Sequence, residues 1–221
     1  MEKIIVALFG LIWGSFLNVV IHRLPRGENI ATPPSACPRC GRRIRPYDNI
    51  PVISYLLLRG RCRDCGAGIS PVYPAVELLT AASFLLLHSR FGLGLHLLTA
   101  CVFAAALIAL GFIDYSHQIL PDAITLPGLV LALAYAAFRP DLGLRGALLG
   151  AVFGGGFLLA VYGGYYLLRK KEGLGLGDVT MMLFVGAYLG WRGALLTLVL
   201  ASFSGALVGI YATTANSLKD N

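Results

Sequence analysis

The feature that most constrains this chain is a succession of apolar runs, each about as long as a bilayer is thick. A helix rises about 1.5 Å per residue, so roughly 20 apolar residues cross a hydrocarbon core of about 30 Å. Ile4–Ile21 is the first such run. Others lie at about 73–89, 95–113, 122–138, 144–168, 178–191 and 193–214. The pattern predicts an all-α polytopic membrane protein of about seven (six to eight) transmembrane helices. Composition agrees: 57% of the 221 residues are hydrophobic and 13% are charged. That is half the usual charge, too little to coat a water-facing sphere. Disorder, a collagen-like rod and a small disulfide-stapled secreted domain are excluded.

A signal peptide is the other reading of Ile4–Ile21. Yet His22, Arg23 and Arg26 follow the run rather than precede it, and no small-residue cleavage site comes after. The run is read as a retained first helix with its N-terminus outside. Glycines four apart, at 10 and 14, at 146, 150 and 154, at 186 and 190, and at 205 and 209, predict closely packed helix pairs.

The charge has an address. Residues 23–72 hold nine arginines against Glu28, Asp48 and Asp64, which is six of the seven net positive charges. A basic, cysteine-bearing segment could contact nucleic acid. A loop beside a membrane gains the same charge from the positive-inside rule and from anionic lipid heads, so no nucleic-acid partner is expected. With 23–72 cytoplasmic, 114–121, 169–177 and the C-terminus fall on the same side. That side then holds 13 Lys and Arg, including Arg169, Lys170, Lys171 and Lys219, and the outer side holds 5. The chain divides into 1–22, a first transmembrane helix; 23–72, a cytoplasmic zinc-binding segment; and 73–221, a helical membrane domain.

The zinc expectation comes from Cys37-Pro-Arg-Cys40 and Cys62-Arg-Asp-Cys65, each followed by glycine (Gly41, Gly66). Two residues between cysteines let one tight turn aim both sulfurs at one point. The glycine supplies the left-handed backbone such a turn needs. Two such knuckles make a closed tetrahedral four-cysteine site, hence structural Zn2+. A disulfide pair is disfavoured in the cytoplasm, and redox chemistry needs no second matched pair. About 50 residues rich in Arg, Pro and Gly are too few to fold unaided, and a metal supplies the missing stability. Cys101 falls inside a span and is read as packing.

Carboxylates in membrane spans are costly and usually functional. Asp141 sits beside Arg139 and Pro140 as a solvated turn residue, and Glu172 follows two lysines. Asp122 follows Pro121 and suits a helix N-cap. Glu77 falls in the first turn of its span, where the helix dipole accommodates it. Asp114 ends one apolar run. Asp178 opens another after Gly173-Leu-Gly175-Leu-Gly177. Both are expected at the cytoplasmic membrane edge, where two carboxylates sharing a proton can activate water against a peptide carbonyl. The bare backbone at Gly175 and Gly177 would admit a substrate strand. A phosphate loop would need a following Gly-Lys-Ser/Thr, which is absent.

These residues resemble the prepilin peptidases, the GxGD-type aspartic proteases of the membrane. Gly14-Ser-Phe-Leu-Asn-Val-Val-Ile-His-Arg-Leu-Pro25, the double CxxC and Arg45-Pro-Tyr-Asp-Asn-Ile-Pro-Val-Ile-Ser-Tyr55 come first. Tyr73-Pro-Ala-Val-Glu-Leu-Leu-Thr80, Ile113-Asp114, Leu120-Pro-Asp122 and Gly175-Leu-Gly-Asp178 follow in order. The resemblance implies cleavage of the leader of type IV prepilins or pseudopilins at the cytoplasmic face of the bacterial inner membrane. It further implies N-methylation of the new N-terminus with S-adenosylmethionine, the activity that goes with the cysteine insertion. It makes Asp114 and Asp178 the catalytic pair and 73–221 an aspartic protease domain. Glu77 and Gly60 are candidate contacts of the methyl donor by position. A peptidase that does not methylate, and a non-enzymatic membrane scaffold with a zinc docking module, are the alternatives. The family often carries Lys two residues after its second Asp; this chain has Thr180. It also falls short of the eight helices often assigned to long members.

Overall fold

The computed structural model describes residues 1–170 and 175–217. Glu172 and Gly173, singled out above, lie outside the described residues, as do Lys171, Leu174 and Lys219. Among the described residues the regular elements are all helices, with two isolated β-bridges besides. It divides into two compact units, Met1–Pro121 and the part from Asp122 onward.

The first unit holds α1 (Glu2–Arg23), α2 (Ile53–Leu57), α3 (Val72–Phe91) and α4 (Leu95–His117). The glycines at 10 and 14 do what their spacing predicts. A Cβ on Gly14 would stand 2.6 Å from the Cα of Glu77, and one on Gly10 would stand 2.6 Å from the Cα of Ala81. Backbone contact of this kind replaces the hydrophobic drive that lipid abolishes. Val76, Thr80 and Phe84 of α3 are buried behind it, while Ile5, Leu8, Ile12 and Phe16 of α1 stay exposed. Exposed apolar faces of this length suit contact with lipid. Helix α4 closes on Gln118, whose left-handed backbone donates its N–H to the Asp114 carbonyl at 2.8 Å.

The second unit holds α5 (Asp122–Ala136), α6 (Gly143–Arg169) and α7 (Leu176–Ser217). Helices α6 and α7 meet backbone to backbone at Gly150 and Gly186, where neither position has room for a side chain. Close by, Gly190 breaks α7 with φ 74 and ψ 176. The break leaves the Tyr188 carbonyl to accept a bond from Arg139 Nη1 at 2.8 Å. Arg139 lies over the rings of Tyr135 and Tyr188 and pairs with Asp141, so Asp141 is an ion-paired turn residue.

Among the described residues five helices are long and apolar enough to cross a membrane: Glu2–Arg26, Val72–Phe91, Leu95–His117, Gly143–Arg169 and Leu176–Tyr211. Of the expected seven spans, one is too short for this set and two lie within one element. The stretch at 122–138 is a 15-residue helix, because Ala137, Phe138 and Arg139 tighten into three-residue turns ahead of Pro140. The runs at 178–191 and 193–214 are the two helices on either side of the break at Gly190 within α7. At Gly205 and Gly209 an added side chain would meet nothing within 4 Å. These two lie on the exposed last part of α7.

Candidate functional site

The cysteine island folds as two copies of one turn. Cys37 donates its N–H to the Arg42 carbonyl and Gly41 donates to Cys37. Cys62 and Gly66 repeat this with Ala67 and Cys62. Gly41 and Gly66 both have φ 69, the left-handed geometry expected of them. Single β-bridges, Ala36 to Arg43 and Arg61 to Gly68, close the two turns. The four sulfurs lie within 4.8 Å of one another, and Cys37 and Cys65 are 3.9 Å apart. Four sulfurs about 2.3 Å from a tetrahedral zinc stand about 3.8 Å apart, so the group fits that ion. No disulfide joins any of the five cysteines.

Backbone N–H groups of Cys40 and then Arg39 point at the Cys37 sulfur and draw its pKa down to about 6. Cys65 receives the Ala67 N–H, which lowers it. Burial and the other three thiols outweigh that and push it up to about 11. One thiol is thereby poised as thiolate among others that repel further charge, the situation a cation relieves.

The remaining island residues brace the knuckles. Arg42 bonds Asp64 at 3.0 Å, tying the first turn to the second. Arg63 grips both oxygens of Asp48 at 2.6–3.1 Å, which holds that carboxyl below the usual range. Arg45 and Arg63 both lie over the Tyr47 ring. Ser54 is buried; it donates to the Tyr47 carbonyl at 2.8 Å and accepts the Ile50 N–H at 3.0 Å.

Glu77 stands in the second turn of α3, since no acidic residue occupies the first. It is buried rather than seated on the helix dipole. Its Oε2 accepts the Val52 N–H at 2.7 Å. Asn18 of α1, also buried, donates to the Tyr73 carbonyl at 3.0 Å. Gly60 has φ 67, lies under the Tyr55 ring and accepts the Ile69 N–H at 2.7 Å, which makes it the turn glycine that opens the second knuckle.

The two expected catalytic aspartates belong to different units. Asp114 lies exposed in the last turn of α4. Asp178 is the third residue of α7, and its Oδ2 accepts the Gly175 N–H at 3.1 Å while its own N–H bonds the Gly175 carbonyl at 3.1 Å. This is the acid half of a capping box. It accounts physically for an aspartate three residues after a glycine at a helix start. Gly177 adds its carbonyl to the Thr180 hydroxyl at 3.0 Å.

Thr180 also reaches Asp122 Oδ1 at 3.0 Å and Thr125 Oγ1 at 3.2 Å. Thr125 is fully buried and bonds the same Asp122 oxygen at 3.4 Å. Asp122 therefore does more than open α5: it fastens the start of α5 to the start of α7. Sequence reading missed this cluster and the Glu77–Val52 bond. The signal available was a threonine where the resemblance favours lysine, and an acid at each helix start.

Two family signatures lie along the chain. Residues 8–91 match the Bacterial Peptidase A24 N-terminal domain, and residues 101–210 match the Type IV leader peptidase family. The chain is 44% identical over 203 residues to a Myxococcus xanthus protein named Prepilin leader peptidase/N-methyltransferase, covering 92% of this chain and 61% of that one. Proteins of the same name from Pseudomonas aeruginosa and Dichelobacter nodosus are 40% and 42% identical. The matches cover 92% and 94% of this chain and 78% and 81% of those proteins. No solved structure gives a significant match. The chain belongs to the type IV leader peptidase family of membrane-embedded bacterial peptidases.

Proposed function

We propose that this protein cleaves the leader from type IV prepilins or pseudopilins and then methylates the exposed N-terminus with S-adenosylmethionine. The observation that carries this reading is the 40–44% identity to prepilin leader peptidase/N-methyltransferases across more than nine-tenths of the chain. It lies in the bacterial inner membrane among lipids, with the cysteine island and both aspartates on the cytoplasmic side. The charge bias supports that orientation. The 15-residue α5 and the two arms of α7 on either side of Gly190 complete seven crossings.

In this reading Asp114 and Asp178 form the catalytic pair. A helix start is the better seat for a carboxylate and a helix end for a carboxylic acid. Asp178 accordingly takes a proton from water as it adds to the scissile carbonyl, and Asp114 gives one to the departing amine. Gly175 and Gly177 leave backbone bare for the substrate strand. Cys37, Cys40, Cys62 and Cys65 hold zinc, which stabilises the island fold. In the second step the methyl group passes from the sulfonium donor to the new amine, which loses a proton.

The test is to incubate the purified full-length protein with a prepilin and the methyl donor, then weigh the product. Loss of the leader together with gain of one methyl group is expected. Loss of the leader alone leaves a peptidase without methyl transfer, and an unchanged prepilin leaves a scaffold.

A further inference from the structure

Glu77 is the sole buried acid among the described residues, at 7% exposure, and cleavage has no use for it. Its carboxylate takes the Val52 N–H at 2.7 Å. Gly14 gives α1 the room to close over it. Val52 itself has φ 61 and ψ −47. A branched residue in that region is a true outlier, held only where its surroundings over-determine it. The unused buried acid and the strained residue are thus the two ends of one hydrogen bond.

The bond leads somewhere. From Val52 the chain runs back to Tyr47 through the buried Ser54, which fixes Tyr47 and Ile50 together. Asp48, next to Tyr47, is clamped by Arg63, and Arg63 lies between Cys62 and Cys65. Short polar contacts, linked by a residue or two of chain, therefore join α3 to the second cysteine knuckle.

We propose that Glu77 is a latch that docks the cysteine island on α1 and α3, a positioning residue needed for methyl transfer and dispensable for leader cleavage. The inference rests on the functional reading above, which gives methyl transfer to this protein. A carboxylate suits the task because a charged acceptor makes a stronger bond than a neutral one, and a buried one is costly unless bonded. The link through Val52 reaches the island and neither aspartate. Glu77 acts through the backbone it holds, rather than by touching the methyl donor.

The test uses full-length protein in nanodiscs with Glu77→Ala, Glu77→Gln, an ester in place of the Val52 amide (the hydroxy-acid analogue of valine incorporated at position 52) and the double variant of Glu77→Ala with that ester. The ester removes the Val52 N–H, keeps the side chain and its φ, and leaves Glu77 in place. Methyl transfer to a pre-cleaved substrate, KM for the methyl donor, leader cleavage and zinc content are measured. Glu77→Ala and the ester should each slow methyl transfer roughly tenfold or more. KM for the donor, cleavage and zinc content should hold. Glu77→Gln should keep most activity, since its amide oxygen still accepts the Val52 N–H, and the double variant should be no slower than either single one. Normal methyl transfer by Glu77→Ala or by the ester overturns the latch alone, given a wild type that methylates. So does a raised KM in Glu77→Ala with the ester unaffected, the signature of a donor contact. Loss of cleavage alongside methyl transfer overturns its selectivity. A wild type that cleaves without methylating overturns the functional reading and the latch with it.

Discussion

Replacing Thr180 with valine removes one hydroxyl and keeps the branched shape. In the structure that hydroxyl serves Asp122 Oδ1 and the Gly177 carbonyl, each at 3.0 Å, and it meets the Thr125 hydroxyl at 3.2 Å. It has one proton, so the consistent pattern runs from Thr125 to Thr180 to Asp122. Valine breaks the chain at its centre. Thr125, fully buried, keeps only its longer 3.4 Å bond to Asp122. A net hydrogen bond contributes about 1 kcal/mol. The charged end of this one is exposed and screened, so no more is assigned to it. For a chain of this size, about 1 kcal/mol corresponds to a midpoint roughly 2–4 °C lower. If the clip holds the start of α7, where Asp178 sits, the same energy lowers kcat for leader cleavage about fivefold. The assay is cleavage of a prepilin by purified protein, with thermal unfolding in the same detergent. KM should hold, and Thr180→Ser, which restores the hydroxyl, should behave as wild type. A valine variant with wild-type kcat and midpoint, or a serine variant as slow as valine, refutes the reasoning.

Three further outcomes follow from the geometry. Cys37→Ser with Cys40→Ser removes two of four ligands, so zinc content should fall to background and methyl transfer with it; normal methyl transfer without metal gives the island another role. Gly14→Leu drives a side chain into the backbone of α3 at Glu77 and should destabilise by about 1–3 kcal/mol or more, read as a lower midpoint in detergent, while the same change at Gly205, where space is open, should leave the midpoint alone. Gly190→Ala meets both φ 74 and Leu142 Cδ1 at 2.7 Å, and should lower the midpoint by an amount of about 1 kcal/mol or more.

Much of this was legible in the sequence because it depends on local spacing. CxxC followed by glycine dictates a turn whose atoms are all within a few residues, and the turn is there at Gly41 and Gly66. Gly10 and Gly14 share a helix face by the helical period alone, and the face is packed. The aspartate of Gly175-Leu-Gly-Asp178 falls at a helix start because the motif is also a capping box. What escaped notice is non-local. Glu77 and Val52 are 25 residues apart and Asp122 and Thr180 are 58 apart, so no periodicity joins them. The break at Gly190 was legible only as a gap between two apolar runs. Apolar residues flank it on both sides, so hydropathy cannot say whether one helix bends or two meet. Gly205 and Gly209 carry the packing spacing where an added side chain would still find open space, because spacing gives opportunity and not occupancy.

The central claim is that two aspartates on two helix ends perform the cleavage. The direct measurement is leader release from a prepilin by full-length Asp114→Asn and Asp178→Asn proteins, with methyl transfer to a pre-cleaved substrate as the control for folding. Each variant should release no leader and still methylate at the wild-type rate. Normal leader release by either variant would contradict the assignment of that aspartate and the mechanism built on the pair.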